Sequence, residues 1–318
     1  MGRSEPEEIV IGRADERYPR ALRHVHDPPP VLYLRGALAS EARALDGPAI
    51  AVVGARDATA YGLGIARDLG RALAESGLVV VSGLALGVDG AAHRGALDAG
   101  GRTVAVVGGG TDVVYPRQHA SLRRDVLERG VVVSEHPAGT PPRPGQFPRR
   151  NRIVSGLSLG VVVVEATLRS GSLSTAAHAV EQGREVFAVP GPAGAPRSAG
   201  PHALLRRGAK LVETVDDVLA ELPAGIATPT GDGCHGTVRL PAELDGLLNA
   251  IRAGVATADE LLLRLQLKPP DLLEKLLVLE LRGMVVRGPG GRYAATSNSS
   301  PAGTARARRP VDSPGRDR

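Results

Sequence analysis

The chain has no Trp, one Cys, two Phe and only three Lys (Lys210, Lys268 and Lys275) in 318 residues. A single cysteine, Cys234, excludes an intrachain disulfide and any cysteine-built metal site. No apolar run approaches the ~20 residues that a membrane-crossing helix needs. The N-terminal stretch "MGRSEPEEIVIGRADERYPR" carries acids early and has no apolar core, unlike a signal peptide. A soluble, cytoplasmic protein without membrane contact is therefore expected. Signature motifs are also missing. There is no GxxxxGK[ST] loop, no HExxH and no GxSxG elbow around Ser82, Ser134 or Ser155. "GGGTD" lacks dinucleotide-binding spacing, and His93, His119, His136 and His178 stand in no ligand pattern. No cofactor and no metal are expected, and no catalytic constellation stands out.

What the chain has is arginine. The formal charge is +5 and the pI about 9.8, a modest excess that favours anionic partners, nucleic acid first. The densest stretch is "PPRPGQFPRRNR". From Gly139 to Arg152 there are four Arg and no Asp or Glu, with one of the two Phe in the middle. A ring among arginines suits single-stranded nucleic acid, because the ring can stack a base while the cations follow the backbone. The competing reading is a solvated loop whose Phe147 anchors in the core.

The organisation follows from the apolar runs "AIAVVG", "LVVVSG", "TVAVVGGG", "VVVSE", "LGVVVVEA" and "EVFAVPG". Solid apolar strands suit burial on both faces. Amphipathic stretches at 62–76, 91–99 and 173–183 alternate with them. The pattern predicts an α/β domain with a doubly wound, mostly parallel sheet over 48–221. Residues 1–47 read as an irregular N-terminal extension holding one short strand after "HDPPP". Residues 222–240 read as a linker and 296–318 as a disordered tail. Within 241–295, helical patterns at 243–252, 258–265 and 271–282 precede "GMVVRGPGGRYAA", a hairpin about a Gly-Pro-Gly-Gly turn. This is the outline of a small winged-helix domain. It holds seven basic and seven acidic residues, so it is neutral and poorly suited to bind duplex on its own.

In open α/β sheets, ligands bind at the carboxyl ends of the strands, where this chain places Gly, Ser and acids. Ser170, Gly171 and Ser172 precede a helix whose free N–H groups suit a phosphate, although a plain serine cap fits too. Arg56 can hold a phosphate or pair with Asp57. Asp89 reads as a helix cap. Glu165 is the best candidate for a catalytic carboxylate, with a structural role as the simpler alternative.

The string "FPRRNRIVSGLSLGVVVVEATLRSGSLSTAAHAVEQGREVFAVPG" resembles the bacterial DprA/Smf family. So do "VVGARDATAYG", "SGLALGVDGAAHRGAL", "VAVVGGGTDVVYP" and "GPHALLRRGAKLVETVDDVL", in the same order over about residues 18–220. The resemblance implies a Rossmann-like domain that binds single-stranded DNA and forms a homodimer. It implies a protein that protects incoming strands in natural transformation and loads RecA recombinase onto them, displacing single-strand-binding protein, without being an enzyme. By motif position it implies DNA contacts from Arg56, Ser82, Gly83, Phe147, Arg150, Asn151, Arg152, Ser170, Gly171 and Ser172. The chain departs from the family pattern in three ways. Ala55 replaces the usual Ser, at most a remnant of an N-terminal helical domain precedes Tyr18, and the winged helix is neutral. The rival class is a nucleotide-processing hydrolase of related Rossmann-like fold, which would carry a Gly-rich PGGxGTxxE motif where "RSGSLSTAAHAVE" stands.

Overall fold

The computed structural model describes residues 6–41, 45–223, 226, 242–252, 257–265, 267, 269–281, 285–287 and 292–295. The chain divides into two compact units, Met1–His235 and Gly236–Arg318. The tail and most of the linker expected from sequence lie outside the described residues, as does the Gly-Pro-Gly-Gly turn.

The first unit runs β1 (Ile9–Gly12), α1 (Arg20–Arg23), β2 (Val31–Arg35), β3 (Ala49–Val53), α2 (Ala60–Glu75), β4 (Val79–Ser82), α3 (Val88–Asp98), β5 (Thr103–Val106), α4 (Ala120–Arg129) and β6 (Val131–Ser134). It continues with α5 (Gln146–Gly156), β7 (Gly160–Val163), α6 (Ser172–Glu181), β8 (Glu185–Ala188), α7 (Ala199–Arg206), β9 (Lys210–Leu211) and α8 (Val215–Leu219). The strands form one sheet in the order β1-β2-β6-β5-β4-β3-β7-β8-β9. It is parallel from β6 to β9, and β1 and β2 are antiparallel additions. All six apolar runs are strands. Alternate residues of β3 feed opposite cores: Ala49, Ala51 and Val53 pack into one, Ile50 and Val52 into the other. Burial on both faces is what made these runs continuously apolar.

The sequence boundary at residue 47 does not hold. β1 pairs with β2, and β2 pairs with β6 through Tyr33↔Ser134, Leu34↔Val133 and Arg35↔Val132, so the N-terminal residues belong to the sheet. β2 alternates half-buried and buried positions, the signature of a strand near a sheet edge. Its partner lies far along the chain, so nothing local announced the pairing.

His93, on α3, lies wholly inside the fold. Its Nδ1 is 2.6 Å from Thr103 Oγ1, which donates to the Val80 carbonyl at 2.7 Å. With its one proton committed, the hydroxyl must accept, so Nδ1 carries the hydrogen. Nε2 is left buried without a partner. Burial, reinforced by the nearby charges of His119 and Arg150, lowers the pKa from 6.5 to about 3. The folded state therefore refuses a proton that the unfolded chain accepts. This contribution to stability is present above pH ~6.5 and is lost as the pH falls towards 3, at up to ~1.4 kcal/mol per pH unit. Denaturant unfolding at pH 7 and pH 5 should differ by about 2 kcal/mol less in His93→Gln than in wild type. An equal pH dependence in both would contradict the assignment.

The second unit consists of α9 (Ala242–Arg252), α10 (Ala258–Leu265), α11 (Pro269–Leu281), β10 (Val285–Arg287) and β11 (Tyr293–Ala295). The two strands pair antiparallel. Leu247, Leu248, Leu261, Leu272, Leu276, Leu279 and Val285 form its core. A reciprocal cap starts α10: Thr257 N donates to Glu260 Oε2 at 3.0 Å and Glu260 N to Thr257 Oγ1 at 3.3 Å, the capping-box arrangement. Three helices and a hairpin make a winged helix, as the sequence predicted.

Candidate nucleic-acid interface

The chain runs outward from β3 to β6 and then crosses back to place β7 on the other side of β3. At such a reversal the helices diverge and open a crevice over the carboxyl ends of the strands. An open cleft of about 550 Å³ lies there, lined from the ends of β3, β4 and β7 and from α5 and α6. A smaller apolar recess of about 60 Å³ adjoins it, walled by Leu84, Val107, Gly108, Tyr115 and Phe147.

The floor is the turn after β4. Gly83 is held from both sides: its N–H donates to Asp89 Oδ2 at 3.1 Å, and its carbonyl accepts from Arg150 Nη1 at 2.8 Å. Asp89 also accepts from Ala85 N at 3.4 Å, and Arg150 Nη1 also donates to the Val106 carbonyl. A Cβ on Gly83 would stand 2.6 Å from both Arg150 Nη1 and Asp89 Oδ2. A larger residue here would have to displace both side chains from their bonds to the turn. Beside it Leu84 sits at φ 55, in the left-handed region, and His119 Nδ1 lies 3.0 Å from its carbonyl. Such a conformation persists only where the surroundings fix it. Burial pushes the Asp89 carboxyl up, against the opposing pull of Arg150 and the two amides. Burial likewise lowers Arg150 to about 10, with Asp89 opposing, so the guanidinium stays charged at neutral pH. Asp89 does not cap α3, whose N-cap is Gly87.

One wall is α5. The "GQFPRRNR" stretch is the first two turns of this helix rather than a loop. Pro148 occupies the first turn, where the missing N–H leaves no hydrogen bond unmade. Helical spacing divides its residues. Phe147, Arg150, Asn151 and Val154 fall on one stripe and line the cleft. Arg152 is five residues from Phe147, about 140° round the axis, and faces away. There it makes two bonds to Glu135, Nη1–Oε1 at 3.1 Å and Nη2–Oε2 at 2.8 Å. It also meets Asp27 Oδ2 at 3.1 Å through Nε. Arg149 reaches Glu135 at 3.6 Å. The cluster is acid-free along the chain and acid-paired in space, and Arg152 is a buried structural cation rather than a free phosphate ligand.

At the cleft mouth, Phe147 is half-buried. Arg56 lies over its ring at 5.3 Å, and the Tyr115 ring is 5.6 Å away at an interplanar angle of 31°. Asp57 pairs with Arg197, which leaves exposed Arg56 to the ring and to solvent. On the far side, Gly171 is the N-cap of α6, and Ser170 Oγ lies 2.7 Å from Ser172 Oγ. Asn151 Nδ2 donates to the Gly171 carbonyl at 3.1 Å, tying this turn to α5.

Of the ten residues implied by the sequence, eight therefore meet at one cleft: Arg56, Gly83, Phe147, Arg150, Asn151, Ser170, Gly171 and Ser172. Ser82 does not. It is fully buried and donates to the Val52 carbonyl at 2.6 Å, locking β4 to β3. Arg152 is the second exception. Glu165 takes the structural role, because its two oxygens accept from Thr59 N at 2.9 Å and Thr59 Oγ1 at 2.6 Å and fix the start of α2. Sequence reasoning missed Tyr115. Its cue was the scarcity of aromatic residues.

Residues 9–223 match the family model for DNA recombination-mediator protein A, and 237–291 match the DprA winged helix domain. The chain belongs to the DprA/Smf family. It is 42% identical to protein Smf of Escherichia coli over 90% of this chain and 77% of that one. It is 43% identical to the DNA processing protein DprA of Bacillus subtilis, over 67% and 71%. The crystal structure of DprA from Streptococcus pneumoniae superimposes with a TM-score of 0.64 at 42% identity, covering 68% of this chain and 74% of that one. DprA of Helicobacter pylori, whose single-stranded DNA binding mode has been described structurally, gives 0.60 at 31% identity, covering 67% and 94%. The family model spans β1 to α8 as one match, in keeping with a sheet that starts at Ile9. Among the described residues, no helix is long and apolar enough to cross a membrane.

Proposed function

We propose that this protein binds single-stranded DNA in the cleft at the carboxyl ends of β3, β4 and β7. The reading rests above all on one observation: a cation, two aromatic rings and a serine-glycine helix N-terminus meet at one open site. Exposed cations neutralise phosphates, helix N-termini receive them, and rings stack splayed bases. A duplex keeps its bases paired and presents none to such a mouth. Family membership and the Helicobacter pylori relative support the same reading. In the cytoplasm the protein shields incoming strands and passes them to RecA in place of single-strand-binding protein, acting as a homodimer and by binding rather than catalysis. The engagement of Glu165 with Thr59 supports that last point against a hydrolase.

Titration of labelled single strands and duplexes of equal length, at several salt concentrations, tests this. With Arg56, Arg143 and Arg169 as contacts, log K should fall with log salt at a slope near −2, about 0.7 per phosphate. Equal affinity for duplex, or a flat salt response, would refute it. Because residues 241–295 are neutral, deleting 241–295 alone, with the arginines of 236–240 and 296–318 retained, should change single-strand affinity by no more than about threefold. Loss of most affinity in the folded deletion variant would place binding in the winged helix.

A further inference from the structure

The seven aromatic residues have separate fates. Tyr18, Phe187 and Tyr293 are buried in the cores. Tyr33 is part of β2. Tyr61 is 49% exposed, but its hydroxyl donates to the Pro190 carbonyl at 3.1 Å. Phe147 and Tyr115 meet at the cleft. They differ in what they leave free. Phe147 has Arg56 over its ring, and a Cβ on Gly108 would stand 3.1 Å from its Cδ1. Tyr115 is 47% exposed and its ring meets that of Phe147, with no hydrogen bond to its hydroxyl among the described residues. A large half-exposed ring with no binding partner is costly to leave in water. It is held in place by a second ring beside it rather than by a polar contact.

We infer that Tyr115 is a nucleobase-stacking residue of this site, and that Phe147 and Arg56 form the layer that backs it. The inference rests on the proposed single-strand binding. The strand lays one unpaired base on Tyr115, whose ring is 5.6 Å from that of Phe147, with Arg56 over Phe147 at 5.3 Å. Tilted rings at this separation attract through edge and face, and the guanidinium of Arg56 over Phe147 adds a cation–π contact. The platform is therefore preformed, and little side-chain freedom is lost when a base lands on it. Stacking on a ring face does not depend on base identity, so Tyr115 contributes affinity without sequence preference.

The chain contains no Trp, so Tyr115→Trp gives a single-fluorophore reporter at the proposed contact. Its emission should be quenched by a thymidine 20-mer in step with the anisotropy of a labelled strand. Tyr115→Ala should weaken binding of that strand roughly 5- to 150-fold, the range for one lost base stack, while Tyr115→Phe matches wild type. On an abasic strand of the same length, Tyr115→Ala and wild type should bind equally. Unchanged Trp emission at saturation overturns the inference and leaves the proposed function standing. So does a Tyr115→Ala defect of equal size on both strands, which would mean that the residue only shapes its loop. If wild type binds no single strand at all, the proposed function fails and the inference fails with it.

Discussion

Replacing Arg152 by Met should lower the stability of the α/β unit by about 3–5 kcal/mol, the usual cost of removing one partner of a buried ion pair. The side chains of Arg152 and Glu135 are 7% and 5% exposed and joined by two bonds. Without the guanidinium, Glu135 is left inside with only the more exposed Arg149 nearby. Arg152 also bonds the Asp27 carbonyl at 2.8 Å through Nε, so the variant should loosen the N-terminal segment on α5. Urea unfolding measures the first effect. Single-strand affinity of the folded fraction, measured alongside, should stay near wild type, since the residue faces away from the cleft. A stable variant with weakened DNA binding would return Arg152 to the interface.

Asp89→Ala is expected to have a comparable effect, with a different signature. It strips the buried Arg150 of its countercharge and releases the amides of Gly83 and Ala85. The loss should again be about 3–5 kcal/mol. Here affinity should fall with stability, because the released turn is the cleft floor. The double variant Asp89→Leu/Arg150→Met separates the two consequences. Replacing two opposite buried charges by apolar groups often restores stability, yet the floor would still lack its clamp on Gly83. Recovered stability with poor binding is therefore expected. Recovered binding in the double variant would show that neither side chain shapes the site.

Much of this was legible in the sequence for identifiable reasons. The six central strands announced themselves because parallel strands buried on both faces must be apolar throughout. The winged-helix elements were legible because each carries its own periodicity. Pairings between distant segments were not. β2 reads as a strand, but only the fold shows that β6 is its neighbour, and β9 has just two residues. Prolines made the start of α5 look like a loop, so the helical spacing that sends Arg150 inward to the cleft and Arg152 outward to Glu135 stayed hidden. Arg152 looked free because Asp27 and Glu135 lie outside the arginine stretch. Ser82 looked accessible at a strand end, whereas its hydroxyl is committed to β3. Tyr115 drew no notice because its ring partner lies on another element. What the resemblance supplied was the grouping of residues from three turns and a helix into one site, which composition and periodicity do not reveal.

Photocrosslinking tests the central claim most directly. A single strand carrying 5-iododeoxyuridine is bound to the full chain, irradiated and mapped by peptide mass spectrometry. The account predicts crosslinks to the aromatic mouth of the cleft, in the peptides containing Tyr115 and Phe147. Crosslinks confined to residues 242–295, with none in those two peptides, would contradict it.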